Sequence, residues 1–441
     1  MQREIRDGLI LRSLSEGVES DQTGLPLFYQ DVFGEDGDPD AERLNWWAQD
    51  LINTDHPTVT LDDIWVVVDP AKDDAIVSAL LLIPQTWQYE DIQFGCGRVE
   101  LVATHKDYRR RGLIRELMNA AHERSTSLGH LVQGITGIPH YYRRFGYGMS
   151  ADLGARAGMA LSIIQPLDEG ESVKFTLRPA GEGDIPALVA WSAAYALENQ
   201  VSVVWDEAML RYEITVRNPE AVNAPRIYMI VNPDDEPVGY VLVRLWENNA
   251  ALMGYVVSKQ SSYLDTFSDV MRGLRHIIDS MDLPPKFQPG HIRFGDLHPM
   301  IDVMVRKTFP SAVTPYTYAW YIRIPDVGAF LRHVAPVLER RLEGSAAHGY
   351  TGTLTVDFYD FTGLILTFEK GKLLNAEHRI LGADDKPDAA FPFYSFFDLI
   401  FGRRTTLELG YIMPDVIAVL KAHILLDTLF PKGHSWLMAL T

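Results

Sequence analysis

Three consecutive arginines, Arg109, Arg110 and Arg111, are followed by Gly112 and by a stretch with helical periodicity. The apolar run RVELVAT precedes them and is typical of a β-strand. A helix that begins directly after a strand exposes unpaired N–H groups at the positive end of its dipole. Gly112 has no Cβ atom and lets a phosphate approach the backbone closely. This order predicts an anion-binding turn, with enough charge for a diphosphate and a 3′-phosphate such as those of coenzyme A.

Two other interpretations of the arginines remain open. A run of like charges is usually a solvated surface segment that pairs with nearby acids. A nucleic-acid patch is disfavoured, because the residues around the run are not basic and the chain has 59 acidic against 40 basic residues. The order strand, arginines, glycine, helix favours the anion site, because that mechanism needs this context.

The elements around this turn alternate between strand and helix. IWVVVD (Ile64–Asp69) and IVSALLLI (Ile76–Ile83) are apolar, β-branched runs joined by PAKDDA, and they predict a hairpin. After the arginines, Leu113, Leu117 and Ala121 recur on one face of a helix. HLVQGITG then predicts another strand, and IPHYYRRFGYG predicts a short helix or turn.

Composition restricts the class of protein. The 441-residue chain is 47% apolar and 22% charged, as globular proteins are, and its length predicts two or three domains. The net charge of −19 is compatible with a cationic substrate. Cys96 is the only cysteine, which excludes an intrachain disulfide and a thiolate metal cluster. The sequence has no secretory signal pattern and no apolar run long enough for a membrane helix, so we expect a cytoplasmic protein.

The first and middle parts of the chain share a weak internal repeat. LRSLSEG resembles LRPAGEG, and IWVVVDPAKDDAIVSALLL resembles IYMIVNPDDEPVGYVLVRL. The second copy has the strand ALMGYVV in place of RVELVAT, but neither arginines nor a glycine follow it. The sequence therefore predicts a duplicated unit whose second copy has lost the anion-binding residues.

The pattern changes from about Ile324 onwards. PDVGAFLRHVAPVLERRL predicts an amphipathic helix, and GTLTVDFYDFTGLILTFEKGKLLNAEHRI predicts strands separated by turns. FYSFFDLIFG and PDVIAVLKAHILLDTLF predict further helical segments. We expect this last part to form a separate α+β unit.

Two segments carry a resemblance to a known family. LVATHKDYRRRGLI resembles the coenzyme-binding turn of the GNAT superfamily of acyltransferases, whose pattern is Arg/Gln-x-x-Gly-x-Gly/Ala after a strand. Arg109 and Gly112 match it, whereas Ile114 stands where glycine or alanine is usual and Lys106 replaces a proline. YYRRFGYG resembles a segment of the enhanced-intracellular-survival (Eis) type of N-acetyltransferase. That group also tolerates an aliphatic residue at the position of Ile114, and its order of patterns fits nearly the full chain.

The resemblance implies a mixed α/β (α+β) fold class with two tandem GNAT folds and a third unit. An active GNAT domain is expected over residues 1–160 and a degenerate one over residues 161–323. A sterol-carrier-protein-like α+β domain is expected over residues 324–441. The resemblance also implies a homo-oligomer, which in this family is a hexamer.

Acetyl-coenzyme A is the co-substrate that the resemblance implies, without a metal. In GNAT enzymes the strand before the turn diverges from its neighbour, and its backbone pairs with the pantetheine and polarises the thioester. The turn then binds the phosphates, and the end of the next strand lines the other side. The residues that the resemblance assigns to the coenzyme are Val102, Ala103, Thr104, Arg109, Arg110, Arg111, Gly112, Leu113, Ile114, Arg115, Gly137 and Ile138.

A general acid and a base follow from the same resemblance. Tyr142 corresponds to the tyrosine that protonates the leaving thiolate, although Tyr141, Tyr142 and Tyr147 are equally explained as packing aromatics. The base corresponds to the chain's own C-terminal carboxylate, on Thr441. Glu100 is the alternative base, because several GNAT enzymes carry a catalytic carboxylate at the start of this strand; otherwise it is a strand-edge acid facing water.

An acidic, aromatic stretch, FYQDVFGEDGDPDAERLNWW, has two interpretations. Its residues Asp31, Glu35, Asp36 and Trp46 are candidate contacts for a polycationic amine. The alternative is an acidic surface loop followed by an amphipathic helix. The nearby histidines lack metal-ligand spacing, so no metal site is assigned to His105, His122, His130 and His140.

Two functions are therefore open at the level of sequence. The first is acetyl-coenzyme-A-dependent N-acetylation of a cationic acceptor by direct attack in a ternary complex. An aminoglycoside-like compound, a polyamine or a protein lysine fits that description. The alternative is a coenzyme-A-sensing protein that binds a lipid or sterol in its last domain without transferase turnover.

Overall fold

The computed structural model describes residues 2–35, 37, 40–52, 55–153, 157–166, 170–246, 249–283, 288–295, 297–313, 318–438 and 440. The fold is mixed α/β, as the sequence predicts, with three β-sheets and helices that pack on them. Over these ranges, no helix combines the length and the apolar character needed to cross a bilayer.

The helices and strands follow one another along three parts of the chain. The first part contains β1 (Gln2–Glu4), β2 (Ile10–Ser13), α1 (Glu19–Glu35), α2 (Ala41–Ile52), β3 (Ile64–Asp69), β4 (Ala75–Tyr89), β5 (Ile92–Thr104), α3 (Leu113–Ser127), β6 (Val132–Ile135) and β7 (Gly148–Leu153). The middle part contains β8 (Ala157–Ala160), β9 (Thr176–Pro179), α4 (Ile185–Ala196), β10 (Val201–Val203), α5 (Glu207–Thr215), β11 (Arg226–Val231), β12 (Pro237–Trp246), β13 (Asn249–Val257), α6 (Tyr263–Ser280), β14 (His291–Phe294), α7 (Pro299–Thr308) and β15 (Tyr318–Arg323). The last part contains α8 (Val327–His333), α9 (Ala335–Glu343), β16 (Gly352–Asp357), β17 (Thr362–Glu369), β18 (Lys372–Ile380), β19 (Ala389–Ala390), α10 (Phe393–Ile400), α11 (Thr406–Ile412), β20 (Ile417–Ala418), α12 (Leu420–Leu429) and β21 (Ser435–Trp436).

A strand from the middle part of the chain completes the first sheet. The first sheet has the order β1-β2-β3-β4-β5-β6-β15-β7, and the second has the order β8-β14-β13-β12-β11-β9. β15, from the end of the middle part, lies between β6 and β7, while β8 pairs with β14. Both pairings cross the expected domain boundary after residue 160.

The two sheets also share a local order of elements. In each, an antiparallel pair is followed by a helix and a parallel strand: β4, β5, α3 and β6 in the first sheet, and β12, β13, α6 and β14 in the second. Both antiparallel pairs contain a register shift, between Ala79 and Leu81 in β4 and between Leu242 and Val243 in β12. This correspondence supports the duplicated unit that the sequence predicts.

The last part of the chain forms a sheet of its own and also joins the first one. Its five strands have the order β18-β17-β16-β19-β20. The terminal strand β21 leaves this unit and pairs in parallel with β10, which in turn pairs with residues 87–89 of β4. The end of the chain is thereby attached to the sheet that carries the arginine turn.

Two local expectations differ from the structure. The single helix expected from PDVGAFLRHVAPVLERRL is two helices, α8 and α9, because Pro336 lacks an N–H donor and fits only the first turn of a helix. The residues 28–35 that begin the acidic stretch belong to α1, so the expectation of an acidic surface loop is wrong for them.

Helix α3 packs its apolar face on the first sheet. Leu117 and Ala121 are fully buried and lie in one cluster with Leu80 of β4 and Val99 of β5. This packing fixes the axis of α3, and hence the direction in which its N-terminus points, relative to the two strands.

Substitution of Leu117 tests this packing. Leu117→Ala should lower the free energy of unfolding by about 2–5 kcal/mol, because Leu117 is 0% exposed and its removal leaves a cavity. Leu128→Ala is the control, since Leu128 caps the same helix and is 41% exposed; we expect a change below about 0.5 kcal/mol. Urea denaturation followed by circular dichroism measures both, and equal losses would contradict the packing described.

Candidate active site

Strand β5 pairs unequally with its two neighbours. It pairs with β4 from Ile92 to Thr104, along its whole length. Its parallel pairing with β6 covers only Cys96, Gly97 and Arg98. From residue 99 onwards β5 separates from β6, which opens a cleft between the two strands at their carboxyl ends.

A β-bulge accompanies this separation. The register between β4 and β5 shifts between Ala79 and Leu81, and Leu101 adopts a φ of 51°. A bulge bends its strand and increases the local twist. A positive φ is unfavourable for a branched side chain, and such strain concentrates at functional sites.

The arginine turn lies directly after β5. Arg110 and Gly112 both have positive φ values, of 67° and 83°, which turn the chain sharply into α3. The first hydrogen bond of the helix is donated by the N–H of Arg115 to the carbonyl of Gly112, at 3.0 Å. The N–H groups of Leu113 and Ile114 therefore lie at the open, positive end of the helix dipole.

A cavity of about 750 Å³, here called the turn cavity, extends from this helix end along β5. Its walls come from β5, the arginine turn, α1 and the segment before β7. The lining residues are Val32, Phe33, Val102, Ala103, Thr104, Tyr108, Arg109, Arg110, Gly112, Leu113, Ile114, Arg115, Ile138, Tyr141, Arg144 and Phe145. The cavity is thus apolar along the strand and cationic at the turn.

The three consecutive arginines have different surroundings. Arg109 lines the turn cavity, and its Nε donates to the carbonyl of Thr104 at 3.2 Å. Arg110 also lines the cavity. Arg111 instead stacks on the ring of Tyr108, 4.7 Å from its centroid, and donates to the carbonyl of Asp107 at 3.0 Å. Of the coenzyme residues expected from the sequence, Arg111 and Gly137 are outside the lining of this cavity.

Tyr142 is buried beside Gly137, next to Tyr141 of the turn cavity. Its side chain is 4% exposed, and its hydroxyl is 3.8 Å from the position that a Cβ atom would take on Gly137. Burial, and to a lesser degree the charge of Glu100, raise the pKa of Tyr142 above its ordinary value. The phenol therefore keeps its proton at neutral pH.

Glu100 lines a smaller cavity of about 270 Å³, here called the Glu100 cavity. It lies between the first and second sheets, and its lining residues are Arg98, Glu100, Thr136, Leu153, Asn223, Arg244, Ala251, Met253, Arg293, Gly295 and Trp320. Arg98 pairs with Glu100 through Nε and Nη2, each 2.7 Å from Oε1 of the carboxylate. In sequence, Gly137 lies between Thr136 of this cavity and Ile138 of the turn cavity, and the ring of Tyr142 lies against Gly137.

Comparison with known proteins bears on this geometry. Residues 25–150 match the family model described as acetyltransferase (GNAT) domain. This range contains the bulge, the arginine turn, Tyr142 and α3. Residues 25–150 carry a GNAT acetyltransferase domain.

Solved structures share this fold over nearly the whole chain. A GCN5-related N-acetyltransferase from Anabaena variabilis has a TM-score of 0.65 and 14% identity, covering 97% of this chain and 99% of its own. One from Kribbella flavida has a TM-score of 0.62 and 16% identity, covering 98% and 100%. Eis1 from Mycobacterium abscessus has a TM-score of 0.59 and 14% identity, also covering 98% and 100%. None of the curated protein sequences matches the chain.

The C-terminal tail runs towards the cleft of the GNAT domain. Trp205 donates from Nε1 to the carbonyl of Met438 at 2.9 Å, and Gln85 of β4 donates to the carbonyl of Leu440 at 3.0 Å. Gln85 pairs with Cys96, two residues before Arg98 on β5. Thr441, whose carboxylate the sequence suggests as the base, lies outside the described residues.

The expected acceptor contacts fall into separate places. Asp31 and Glu35 line a third cavity of about 560 Å³, here called the acidic cavity, between α1, residues 73–76 and His105. Glu35 also pairs with Lys106, at 3.0 Å. Trp46 is half-buried against the core under α1 and α2, and Asp36 lies outside the described residues. Of the three residues that the structure describes, it therefore brings together Asp31 and Glu35.

Several lining residues were not expected from the sequence. Val32 and Phe33 reach the turn cavity from α1, and Arg144 and Phe145 reach it from the segment YYRRFGYG. Arg115 lies 5.4 Å from the ring centroid of Phe145. Arg144 and Phe145 could have been found from the sequence, because they lie within the motif that identified Tyr142. Val32 and Phe33 could not, because α1 is distant in sequence from the other walls of the turn cavity.

Two glycines that flank α3 provide a matched test of the turn. Gly112 and Gly129 both have positive φ, and added side chains would meet no atom within 4 Å at either position. Gly112→Asp should weaken coenzyme A binding at least about tenfold, because the carboxylate would repel the phosphates at the helix end. Gly129→Asp should leave the affinity unchanged. Isothermal titration calorimetry measures both, and equal affinities would show that the phosphates bind elsewhere.

Proposed function

We propose that the protein transfers an acetyl group from acetyl-coenzyme A to the amine of an acceptor, by direct attack in a ternary complex. The observation that carries this proposal is that the turn cavity and the Glu100 cavity are lined by neighbouring residues of β5 and of the segment after β6. Tyr142 lies against Gly137, which is between those two linings in sequence. One cavity is suited to the coenzyme and the other to the acceptor.

The turn cavity fits acetyl-coenzyme A, which supplies the thioester. Arg109, Arg110 and Arg115, with the N–H groups at the start of α3, would bind the phosphates. The backbone of Val102 and Thr104 would pair with the pantetheine, because β5 has separated from β6 there. An N–H group of this strand would stabilise the charge that develops on the thioester oxygen.

The reaction forms a C–N bond and breaks a C–S bond. The amine must lose a proton to a base, and the leaving thiolate must gain one. We assign the second step to Tyr142, whose raised pKa keeps the phenol protonated and available as a donor. The products are then the N-acetylated acceptor and coenzyme A with its thiol restored.

Two carboxylates remain as candidates for the base. Glu100 lies in the acceptor-side cavity, but Arg98 neutralises part of its charge. The α-carboxylate of Thr441 is supported by the anchoring of Leu440 at Gln85, next to β5. We favour the terminal carboxylate, because Glu100 already has a strong ion-pair partner.

Substitution of Tyr142 tests the general acid. Tyr142→Phe should lower kcat at least about a hundredfold, the low end of what general acid catalysis contributes, with the affinity for coenzyme A unchanged. Tyr141→Phe is the matched control, since Tyr141 is adjacent and lines the turn cavity; we expect a small change in KM for acetyl-coenzyme A. Assay of thiol release gives both constants. Undiminished turnover by Tyr142→Phe would remove the role of Tyr142.

Two variants distinguish the candidate bases. Deletion of Thr441 moves the terminal carboxylate by one residue and should lower kcat at least about tenfold, with less effect on KM for acetyl-coenzyme A. Glu100→Gln keeps the size of the side chain and should have the smaller effect on kcat. Steady-state kinetics across pH 6–9 measures both, and the opposite order would assign the proton to Glu100.

The acceptor expected from the sequence is a cationic amine, such as an aminoglycoside-like compound, a polyamine or a protein lysine. Its structural support is the acidic cavity, in which Asp31 and Glu35 lie near Asp21, Asp73 and Asp74. Part of that charge is already paired, because Arg12 binds Asp21 at 2.8 Å and Asp74 at 3.3 Å. The acidic cavity would therefore serve as an outer contact for a cation rather than as the place of reaction.

The remaining expectations form part of the same proposal. The second GNAT fold is degenerate, since β13 has no arginine turn after it. The separate third sheet supports the sterol-carrier-like unit. Exposed apolar side chains on α11 and α12, among them Leu407, Tyr411 and Leu420, support assembly into the hexamer. A cytoplasmic location agrees with a single, buried cysteine.

The alternative function, lipid binding without turnover, has one supporting observation. A cavity of about 470 Å³ in the last part of the chain is lined by aromatic side chains, among them Phe358, Phe393 and Tyr394. It is open to solvent beside Asp360 and Asp415, so it has an acidic rim. The neighbouring linings of the turn cavity and the Glu100 cavity favour transfer, because a sensor of coenzyme A needs no second cavity beside the thioester.

A further inference from the structure

The Glu100 cavity has an electrostatic character that differs from the rest of this acidic chain. Arg98, Arg244 and Arg293 line it, against the single carboxylate of Glu100. Arg98 and Arg244 are 5% and 8% exposed, and Arg293 is exposed. Behind them, Arg217 and Glu213 form a buried pair at 2.9 Å that adds no net charge. The cavity is therefore positive. It would repel the cationic acceptor that the sequence predicts.

The buried arginines are close enough to affect one another. Burial lowers the pKa of Arg244 most, the positive charges of Arg217 and Arg98 lower it further, and the carboxylates of Glu213 and Glu100 oppose that shift. Like charges inside a protein are stabilised when opposite charges join them. An anionic ligand in the cavity would add to the compensation that Glu100 and Glu213 give.

Arg98 retains a donor for such a group. Its Nε and Nη2 atoms bind Glu100, and the guanidinium lies 5.6 Å from the ring centroid of Trp320. Nη1 is buried and has no hydrogen-bond partner among the residues that the structure describes. A buried donor without a partner costs about 1–3 kcal/mol, which a ligand oxygen would offset.

We propose that the acceptor is a small amine that also carries a carboxylate, of the size and kind of a free amino acid. This inference rests on the proposed acetyl transfer. The carboxylate would be bound by the guanidinium groups of Arg98, Arg244 and Arg293, whose planar donors match it. The amine would lie beside Glu100, whose Oε2 atom is not used by Arg98, and would face the thioester at the cleft.

The size and charge of the cavity support this class of acceptor. A volume of about 270 Å³ is below the range of about 300–1,000 Å³ that drug-sized ligands occupy. An aminoglycoside is larger than that, and a protein lysine would bring its backbone with it. Positive surroundings also lower the pKa of an amine and favour the neutral form that attacks the thioester.

Matched pairs of acceptors test the inference. Each pair is an amino acid and the amine left after its decarboxylation, such as lysine with cadaverine and phenylalanine with phenethylamine. The wild-type protein should acetylate the amino acid of each pair with a kcat/KM at least about tenfold higher. A preference for cadaverine, spermidine or an aminoglycoside overturns the inference and leaves the proposed transfer intact. If acetyl-coenzyme A is consumed with none of these amines, the proposed function is overturned, and this inference with it.

A variant of Arg293 locates the effect. Arg293→Gln should raise KM for the amino acids at least about fivefold and leave KM for the decarboxylated amines unchanged. Arg293 is exposed, so the change spares the core. Arg272→Gln is the control, because Arg272 lies on α6 outside the cavity and pairs with Glu171 at 2.9 Å. Equal effects of Arg293→Gln on both members of each pair would overturn the assignment of the carboxylate to this cavity.

Discussion

Strand β5 must remain attached to β4 while it separates from β6, and the site depends on that constraint. The antiparallel ladder to β4 continues to Thr104, but the parallel ladder to β6 stops at Arg98. The bulge at Leu101 makes both possible, because an extra residue on one strand bends it without ending the pairing on the other side. The free edge of β5 is then available to a ligand, which a fully paired strand would not be. The turn cavity, the Glu100 cavity and Tyr142 all lie along that separation.

The packing of the molecule holds this opening in place. Helix α3 is fixed on one face of the sheet by Leu117 and Ala121, so its N-terminus points into the cleft. Within the same sheet, β15 pairs with β6, and its Trp320 lies against Arg98. The tail of the chain ends beside β4, where Gln85 binds Leu440. Residues from all three parts of the chain therefore surround a single cleft.

Charge divides the site into regions with different tasks. The chain has a net charge of −19, yet two of its concave surfaces carry an excess of arginine. At the turn, exposed arginines and a helix N-terminus suit a phosphate-bearing coenzyme. In the Glu100 cavity, the arginines are mostly buried and suit a small anion. The acidic cavity shares Val32 with the turn cavity but no lining residue with the Glu100 cavity, which explains why net charge alone is a poor guide to the acceptor.

Much of the local structure is predictable from the sequence. β3 matches the predicted strand Ile64–Asp69 in its bounds, and the face of α3 follows the spacing of Leu113, Leu117 and Ala121. The arginine turn was predictable because its whole mechanism lies within a few consecutive residues. The position of β15 between β6 and β7 was not predictable, because periodicity shows which face of a strand is buried and not which strands are its neighbours.

The Glu100 cavity shows the same limit. Arg98, Arg244 and Arg293 stand on β5, β12 and β14, and nothing in their local sequence indicates that they meet. The net charge and the family resemblance led instead to a cationic acceptor, with Asp31 and Glu35 as candidate contacts. The arginines come together only where β5 of the first sheet lies near β12 and β14 of the second.

A crystal structure with coenzyme A bound tests the central claim most directly. The account predicts that the pantetheine lies along the free edge of β5 with a hydrogen bond to Val102 or Thr104, and that the diphosphate lies at the N–H groups of Leu113 and Ile114. It predicts that the thiol points to Tyr142 and the Glu100 cavity. Coenzyme A bound elsewhere, or β5 paired with β6 to its end in the complex, would contradict it.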